Sequence, residues 1–172
     1  MARRSLIAIG LVALSSCRGP ATGEPNAGST APGVLDANGV VVRVVDGDTA
    51  VIRFGSVSET VRFVGINTPE TVKPHAAVEC YGPEASARTK ELLPKGASVR
   101  VERDAEARDV YSRLLGYVYR ASDGLFVNLS LVTDGFATPL TIAPNTAHET
   151  EFVAAARAAE AAGRGLWNAC RG

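Results

Sequence analysis

The chain has 172 residues, room for one domain with a proper core and little more. Lysine plus arginine and aspartate plus glutamate number 18 each, so the formal net charge is zero. That balance argues against a protein coated in positive charge for bulk nucleic-acid binding, but it leaves room for a local cationic pocket, because a cleft focuses field without net charge.

The first residues read as an export signal. Arg3 and Arg4 precede the apolar run Leu6–Leu14, which is short for a membrane span, and Ser15, Ser16 and Cys17 follow. We assign residues 1–16 to this signal. The Leu14-Ser-Ser-Cys17 ending looks like the lipobox of bacterial lipoproteins, in which case Cys17 becomes the lipidated first residue of the mature chain. Ordinary cleavage nearby and a buried helix are the alternatives. Residues 17–35 are rich in Gly, Pro, Ala, Ser and Thr and read as a flexible tether, leaving 36–170 as the folded domain. The expected location is outside the cytoplasm of a bacterium, either lipid-anchored in the cell envelope or secreted.

Val40 to Val45 is a β-branched run, Asp46-Gly47-Asp48 is a turn, and Thr49 to Phe54 is again strand-like, which predicts a hairpin. Gly55 to Ser58 is a second turn and Thr60 to Ile66 a third strand, stopped by Thr68-Pro69. Pro83 to Leu93 reads as a helix with proline in its first turn, ended by Pro94-Lys95-Gly96. Ala97 to Arg103 and Leu114 to Arg120 alternate as the fourth and fifth strands, and Asn128 to Asp134 is a short helix stopped by Gly135. Thr146 to Glu149 has the form of a capping box. Phe152, Ala155, Ala156 and Ala159 then recur at helical spacing, Gly163 supplies the stop, and Trp167 reads as a lid on the core. These elements fit an α+β single domain: a five-stranded antiparallel OB-fold barrel with about three helices. Cys80 and Cys170 lie far apart in an exported chain and outside any zinc-like cluster, which favours a disulfide over two unrelated thiols.

Four places carry chemistry. Asp46 and Asp48 at a hairpin tip offer oxygen ligands to a hard cation, although Asp-Gly is also a common plain turn. Alternation in Val61–Ile66 puts apolar residues on both faces, so Arg62 is a cation among apolar neighbours. It must be paired, by a protein carboxylate or by a bound anion such as phosphate. Asn67-Thr68-Pro69-Glu70 sets a carboxamide and a carboxylate a few residues further on, where a carboxylate beside a cation clamp suits in-line attack on phosphate. Arg113, at the entrance to the fifth strand, can hold the same phosphate from another side. His75 and His148 sit in no motif and are not expected to be catalytic.

The order of these motifs resembles the staphylococcal-nuclease-like (thermonuclease) family: Asp-Gly-Asp-Thr at 46–49, Val-Arg-Phe-Val-Gly-Ile-Asn-Thr-Pro-Glu at 61–70 and Asp-x-Tyr-x-Arg at 109–113. Glu79-Cys-Tyr-Gly-Pro-Glu-Ala85, Val127-Asn128, Gly135-Phe-Ala137 and Gly165-Leu-Trp167 extend the likeness over about residues 39–168. The resemblance implies a Ca²⁺-dependent phosphodiesterase acting on DNA and RNA, single-stranded or denatured strands preferred, leaving 3′-phosphate ends and working as a monomer. Carried over residue by residue, it implies metal ligation by Asp48, Asn67 and the Thr68 carbonyl, with Asp46 as an outer-shell contributor. Glu70 becomes the base or water-positioner, Arg62 and Arg113 the transition-state arginines, and Tyr111 a holder of a terminal phosphate. A catalytically weakened nucleic-acid-binding barrel is the alternative.

The chain departs from the family pattern in four ways. Asn67 stands where aspartate is usual, which keeps an oxygen ligand but removes one negative charge and should lower metal affinity. Ser112 replaces the glycine common before the second arginine, which costs about 1 kcal/mol if that position needs a positive φ. No aromatic residue is evident from Thr138 to Ile142. The neutral charge balance points to weaker, more salt-sensitive capture of substrate.

Overall fold

The computed structural model describes residues 34–71 and 77–170. The export signal, most of the tether, Cys17 and His75 lie outside the described residues.

Three strands form the opening meander: β1 (Gly39–Asp46), β2 (Thr49–Phe54) and β3 (Val57–Phe63). The first hairpin closes with Asp46 opposite Thr49, so Gly47 and Asp48 form its tip. The second closes with Phe54 opposite Val57, so its turn is Gly55-Ser56 alone and β3 begins three residues before the expected Thr60. Strand β1 carries two register shifts, between Val41 and Arg43 and between Val44 and Asp46, and also pairs through Gly39 and Val40 with β5 (Ser98–Glu102). Strand β6 (Leu114–Arg120) joins β5 on one side. On its other side it meets β3, with Val61 opposite Leu114 and Phe63 opposite Gly116, and so closes a five-stranded barrel. The closing β3–β6 pair is parallel, whereas the sequence reading expects antiparallel neighbours throughout. The reason is topological: helix α1 (Gly82–Leu92) and β5 intervene between the two strands and return the chain to the same end of the barrel. A two-residue strand, β7 (Leu125–Phe126), then extends the sheet beyond β6.

The third strand differs most from its reading. It runs to Phe63, the chain turns at Val64, and β4 (Gly65–Asn67) pairs instead with β8 (Thr138–Leu140). Gly65 has φ +79, and a Cβ there would lie 2.3 Å from Cε2 of Phe152. A side chain is therefore excluded by backbone and ring alike. The bend swings Asn67 to Glu70 off the barrel wall and over its end, which is how a turn of functional type comes to overhang Arg62.

The core is built from the inward residues of this closed sheet: Val41, Ile52, Val61, Phe63, Val99 and Val118 are each at most 2 % exposed. Two helices cap it, α2 (Val127–Thr133) and α3 (Glu149–Ala161), delivering the fully buried Leu131 and Phe152. Fully burying such side chains stabilises by about 1.5–3 kcal/mol apiece. Asn128 is also fully buried, and every bond it makes is structural. Its amide donates to Val64 O at 2.9 Å and its oxygen accepts from Val118 N at 3.0 Å, locking α2 to the β3 bend.

Helix α3 begins at Glu149 with His148 as its N-cap and no side-chain cap, so the expected Thr146 capping box does not form. Residues before it are already committed. Ala147 N donates to Asp104 at 3.0 Å, and Asn145 exchanges hydrogen bonds with the backbone of Glu106. Trp167 sits on the one-turn helix α4 (Leu166–Ala169), half-buried against the core. Cys170 follows it and is joined to Cys80 by a disulfide across 90 residues of chain, a constraint worth about 2–4 kcal/mol.

Candidate active site

The site lies where the first hairpin tip, the end of β3, the overhanging turn and the loop before β6 converge. Arg62 is its hub. Side chains on β3 alternate, and with Val61 and Phe63 in the core Arg62 must point the other way, yet its side chain is only 14 % exposed. Nη2 of Arg62 meets Asp48 Oδ2 at 3.0 Å and donates to Asn67 Oδ1 at 3.3 Å, while Nη1 donates to Phe63 O at 2.6 Å. Burial pulls the guanidinium pKa below the ordinary arginine value. Asp48 opposes that fall, the like charge of Arg113 adds to it, and Asp109 and Asp46 oppose it again. The group remains a cation at neutral pH.

Asp48 is held from three directions. Besides Arg62, its Oδ2 accepts Thr68 N at 2.9 Å and its Oδ1 accepts the Thr49 hydroxyl at 3.0 Å. The Thr68 side chain is buried at 4 % exposure, and its Oγ1 has no hydrogen-bond partner among the described residues. Asp46 is directed elsewhere: Oδ1 accepts the Thr71 hydroxyl at 2.6 Å, fixing the residue after Glu70. Glu70 is half-buried, with Oε1 accepting Thr71 N at 3.0 Å.

The second arginine belongs to a different loop. Asp109 organises it as an Asx turn: Oδ1 accepts the backbone N–H of Tyr111 at 3.0 Å and of Arg113 at 2.9 Å, and Oδ2 accepts Arg113 Nε at 2.7 Å. Burial is the largest single influence on the Asp109 carboxyl and raises its pKa, but these hydrogen bonds from Arg113 and Tyr111 together outweigh it and hold the group below the usual carboxylate range. A depressed carboxyl stabilises the fold above its unfolded-state pKa and loses that contribution as pH falls through its folded value, so this loop stays fastened at neutral pH. With Nε engaged, neither terminal amino group of Arg113 has a hydrogen-bond partner among the described residues. The fork is left facing outward, its carbon 5.5 Å from the centre of the exposed Tyr111 ring.

Arg62, Tyr111 and Arg113 line one cleft of about 340 Å³, whose rim carries the exposed apolar side chains Val110, Leu140 and Ile142. The structure thus brings the two arginines and Tyr111 to one wall, and links Asp48, Asn67 and Thr68 to that wall through Arg62 and Asp48. Glu70 is not among the described residues lining the cleft. It follows Thr68 and Pro69 on the same turn and is half-buried. His148 packs against Tyr117, Phe126 and Phe152 and binds Glu151, away from this group. Sequence reading passes over Asp109 as a site residue, although an aspartate two residues before Tyr111 is the signal for an Asx turn. It also misses two rim residues, Leu140, which the β4–β8 pairing places opposite Gly65, and Ile142, which bridges to Asn145 just beyond β8.

Ser112 has φ +62, stabilised by its N–H to Asp109 O at 2.9 Å. The left-handed region costs a side-chain-bearing residue about 1–2 kcal/mol. Glycine gives back about 0.4–1 kcal/mol through the freer unfolded chain. Ser112→Gly is therefore expected to stabilise by about 0.5–1 kcal/mol, read as a higher urea midpoint at constant slope. A lower midpoint would show that serine bears this backbone at no cost.

Comparison with known proteins covers most of this site, from Arg62 to Arg113. The profile of the family described as Staphylococcal nuclease homologue matches residues 60–169. A Thermonuclease of Staphylococcus hyicus is 34% identical over 128 residues, 74% of each chain. A Thermonuclease of Staphylococcus intermedius is 38% identical over 128 residues, again 74% of each chain. The SPbeta prophage-derived endonuclease YokF of Bacillus subtilis (strain 168) is 38% identical over 128 residues, 73% of this chain and 42% of that one. With the profile spanning more than half of the sequence, from within β3 through the overhanging turn and the Arg113 loop to α4, the chain belongs to the staphylococcal nuclease homologue family.

Proposed function

We propose that this member of a family of hydrolytic nucleases is a calcium-assisted phosphodiesterase, cleaving DNA and RNA and leaving 3′-phosphate ends. The observation that carries the reading is the convergence of Arg62 and the outward fork of Arg113 on one cleft, because two guanidinium groups match the charge and geometry of a single phosphate. The apolar rim at Val110, Leu140 and Ile142 suits an unstacked base, which supports a preference for single-stranded or denatured strands.

A hard cation fits the residues present. Asp48 Oδ2 and Asn67 Oδ1 both close on one nitrogen of Arg62, at 3.0 and 3.3 Å, beside Thr68 Oγ1, which has no hydrogen-bond partner among the described residues. Oxygen donors gathered around a position of positive charge are what such a cation takes. Among the described residues no three His, Cys, Asp or Glu side chains gather as a metal cage, and this donor set contains a single carboxylate, Asp48, for direct contact. Asp48, Asn67 and the Thr68 carbonyl would hold the ion, with Asp46 behind them. When bound, calcium supplies positive charge that polarises the phosphate and orders water. The chain's own residues do the rest. Arg62 exchanges its protein partners for phosphate oxygens, Arg113 grips the same group from the loop side, Glu70 takes the proton of the attacking water, and Tyr111 steadies a terminal phosphate. The Cys80–Cys170 bridge supports export to an oxidising compartment.

The test is digestion of denatured DNA and of RNA by the whole chain in millimolar calcium, against the same reaction with chelator. Cleavage that stops with chelator and leaves phosphatase-sensitive 3′ ends supports the reading, and inertness in calcium sinks it. Asn67 also supports a second reading, a barrel that binds nucleic acid but has lost turnover. Asn67→Asp restores a second carboxylate beside Asp48 and is expected to tighten calcium binding about tenfold, a step of ~1.4 kcal/mol, by calorimetry. Cleavage appearing only in that variant would favour the weakened-binder reading.

A further inference from the structure

Glu79 makes a contact that the reaction above does not use. It comes nine residues after Glu70 in the chain, and the two residues are tied twice. The Glu79 N–H donates to Glu70 O at 3.0 Å, and Glu79 Oε2 accepts the Glu70 N–H at 3.0 Å. In a sheet a backbone carbonyl would complete such a pair. Here the Glu79 carbonyl is occupied by Gly82 N at 3.0 Å, and the side chain takes its place. A carboxylate is the stronger acceptor, so the substitution tightens the tie.

The surroundings fix Glu79 in turn. Cys80, the next residue, is bonded to Cys170, and the bridge shares a shallow recess with Asn67, Pro69 and Glu79. Tyr81 stacks on Phe136 with ring centres 5.3 Å apart. Behind them the start of α1 presses on the turn itself. A Cβ on Gly82 would lie 3.1 Å from the carbonyl oxygens of Pro69 and Glu70 and 2.8 Å from Cγ2 of Thr71. The peptide that bears Glu70 is therefore held from below by α1 and from the side by Glu79, whose own backbone is anchored by the disulfide.

We infer that Glu79 is a positioning residue for Glu70, and that the Cys80–Cys170 bridge holds Glu79 in place to do it. The inference rests on the proposed role of Glu70. A group that takes a proton from water must sit within a few tenths of an ångström of its working position, and a misplacement of about 1 Å costs on the order of 10²-fold in rate. Glu70 stands on a turn outside the barrel, so the clamp supplies the rigidity that a strand would otherwise give.

Two measurements test it together on the full chain. In steady-state digestion of an oligonucleotide, Glu79→Ala is expected to lower kcat about 10–100-fold with KM within about twofold. Glu79→Gln, whose amide oxygen still accepts the Glu70 N–H, should stay within about threefold of wild type. In a Glu70→Ala background Glu79→Ala should cost nothing more, since there is no longer a carboxylate to place. The second measurement is hydrogen exchange without substrate. The Glu70 amide should exchange at least about tenfold faster in Glu79→Ala and in Cys80→Ser/Cys170→Ser, but not in Glu79→Gln, while the Thr68 amide, bound to Asp48, keeps its protection. An unchanged Glu70 amide in Glu79→Ala overturns the clamp whatever the activity does. So does a full extra loss of kcat in the Glu70→Ala background. Retained turnover in Glu70→Ala alone would instead strike the role of Glu70, and the exchange result would stand apart from it.

Discussion

Replacing Glu70 by alanine is expected to lower kcat by about 10²–10⁴-fold, the usual worth of a positioned general base, while KM and the melting temperature change little. Stability should hold because Glu70 stands half-buried on a turn outside the core, where Oε1 accepts the N–H of the next residue at 3.0 Å. Glu70→Gln separates the two roles this carboxylate could play. Glutamine keeps the shape and can still accept the Thr71 N–H, but it cannot take a proton. If Glu70 serves the attacking water, the Gln and Ala variants fall together. If it only shapes the turn, Gln retains most of the activity. Single-turnover cleavage of a labelled oligonucleotide in calcium distinguishes the outcomes without interference from product release.

The barrel was legible because its strands follow period-two burial and its turns carry their chemistry openly. Leu114–Arg120 emerges with the limits that its alternation indicates, and Gly47-Asp48 forms the hairpin tip that the aspartate-glycine pairing calls for. What sequence could not show is where distant parts meet. The run through Val64 and Gly65 reads as unbroken strand, and the bend depends on the Phe152 ring, 87 residues later, packing where a Cβ would be. The T-x-x-E signal at Thr146 is sound locally, yet the Glu149 N–H that the threonine hydroxyl would receive donates to Thr146 O at 3.1 Å, and the helix starts at Glu149. Strand β8 escapes because it is three residues long with a central proline.

The site divides along the same line. Arg62 stands out because alternation forces a cation between apolar faces, and Arg113 because it follows an aspartate-tyrosine turn. Neither fact tells which atoms of each arginine are free. That depends on Asp48 and Asn67 converging on Arg62 and on Asp109 engaging Arg113 through Nε alone. Glu79 looked like one letter of a motif, because its partner is the backbone N–H of Glu70 and backbone partners leave no trace in side-chain pattern.

The free fork of Arg113 leads to the second large effect. Arg113→Ala is expected to cost about 10³-fold in kcat/KM, in the range for removing a donor to a developing phosphate charge. Its stability cost should be small, since the side chain is 34% exposed and Asp109 keeps its backbone bonds to Tyr111 and Arg113. Arg113→Lys should recover little, because an ammonium cannot bridge two phosphate oxygens from the position Asp109 imposes. Arg62→Ala should match the catalytic loss but also destabilise, leaving Asp48, only 10% exposed, without its countercharge. Breaking a buried pair costs about 3–5 kcal/mol, and the retained Thr68 N–H and Thr49 hydroxyl on Asp48 should reduce that to roughly 1–3 kcal/mol. The double variant decides whether the arginines share a target. If both grip one phosphate, its loss falls well short of the product of the single losses, because the second removal finds the charge already ungripped. If the losses multiply, Arg62 and Arg113 serve different groups, and the cleft between them does not hold a single reacting phosphorus.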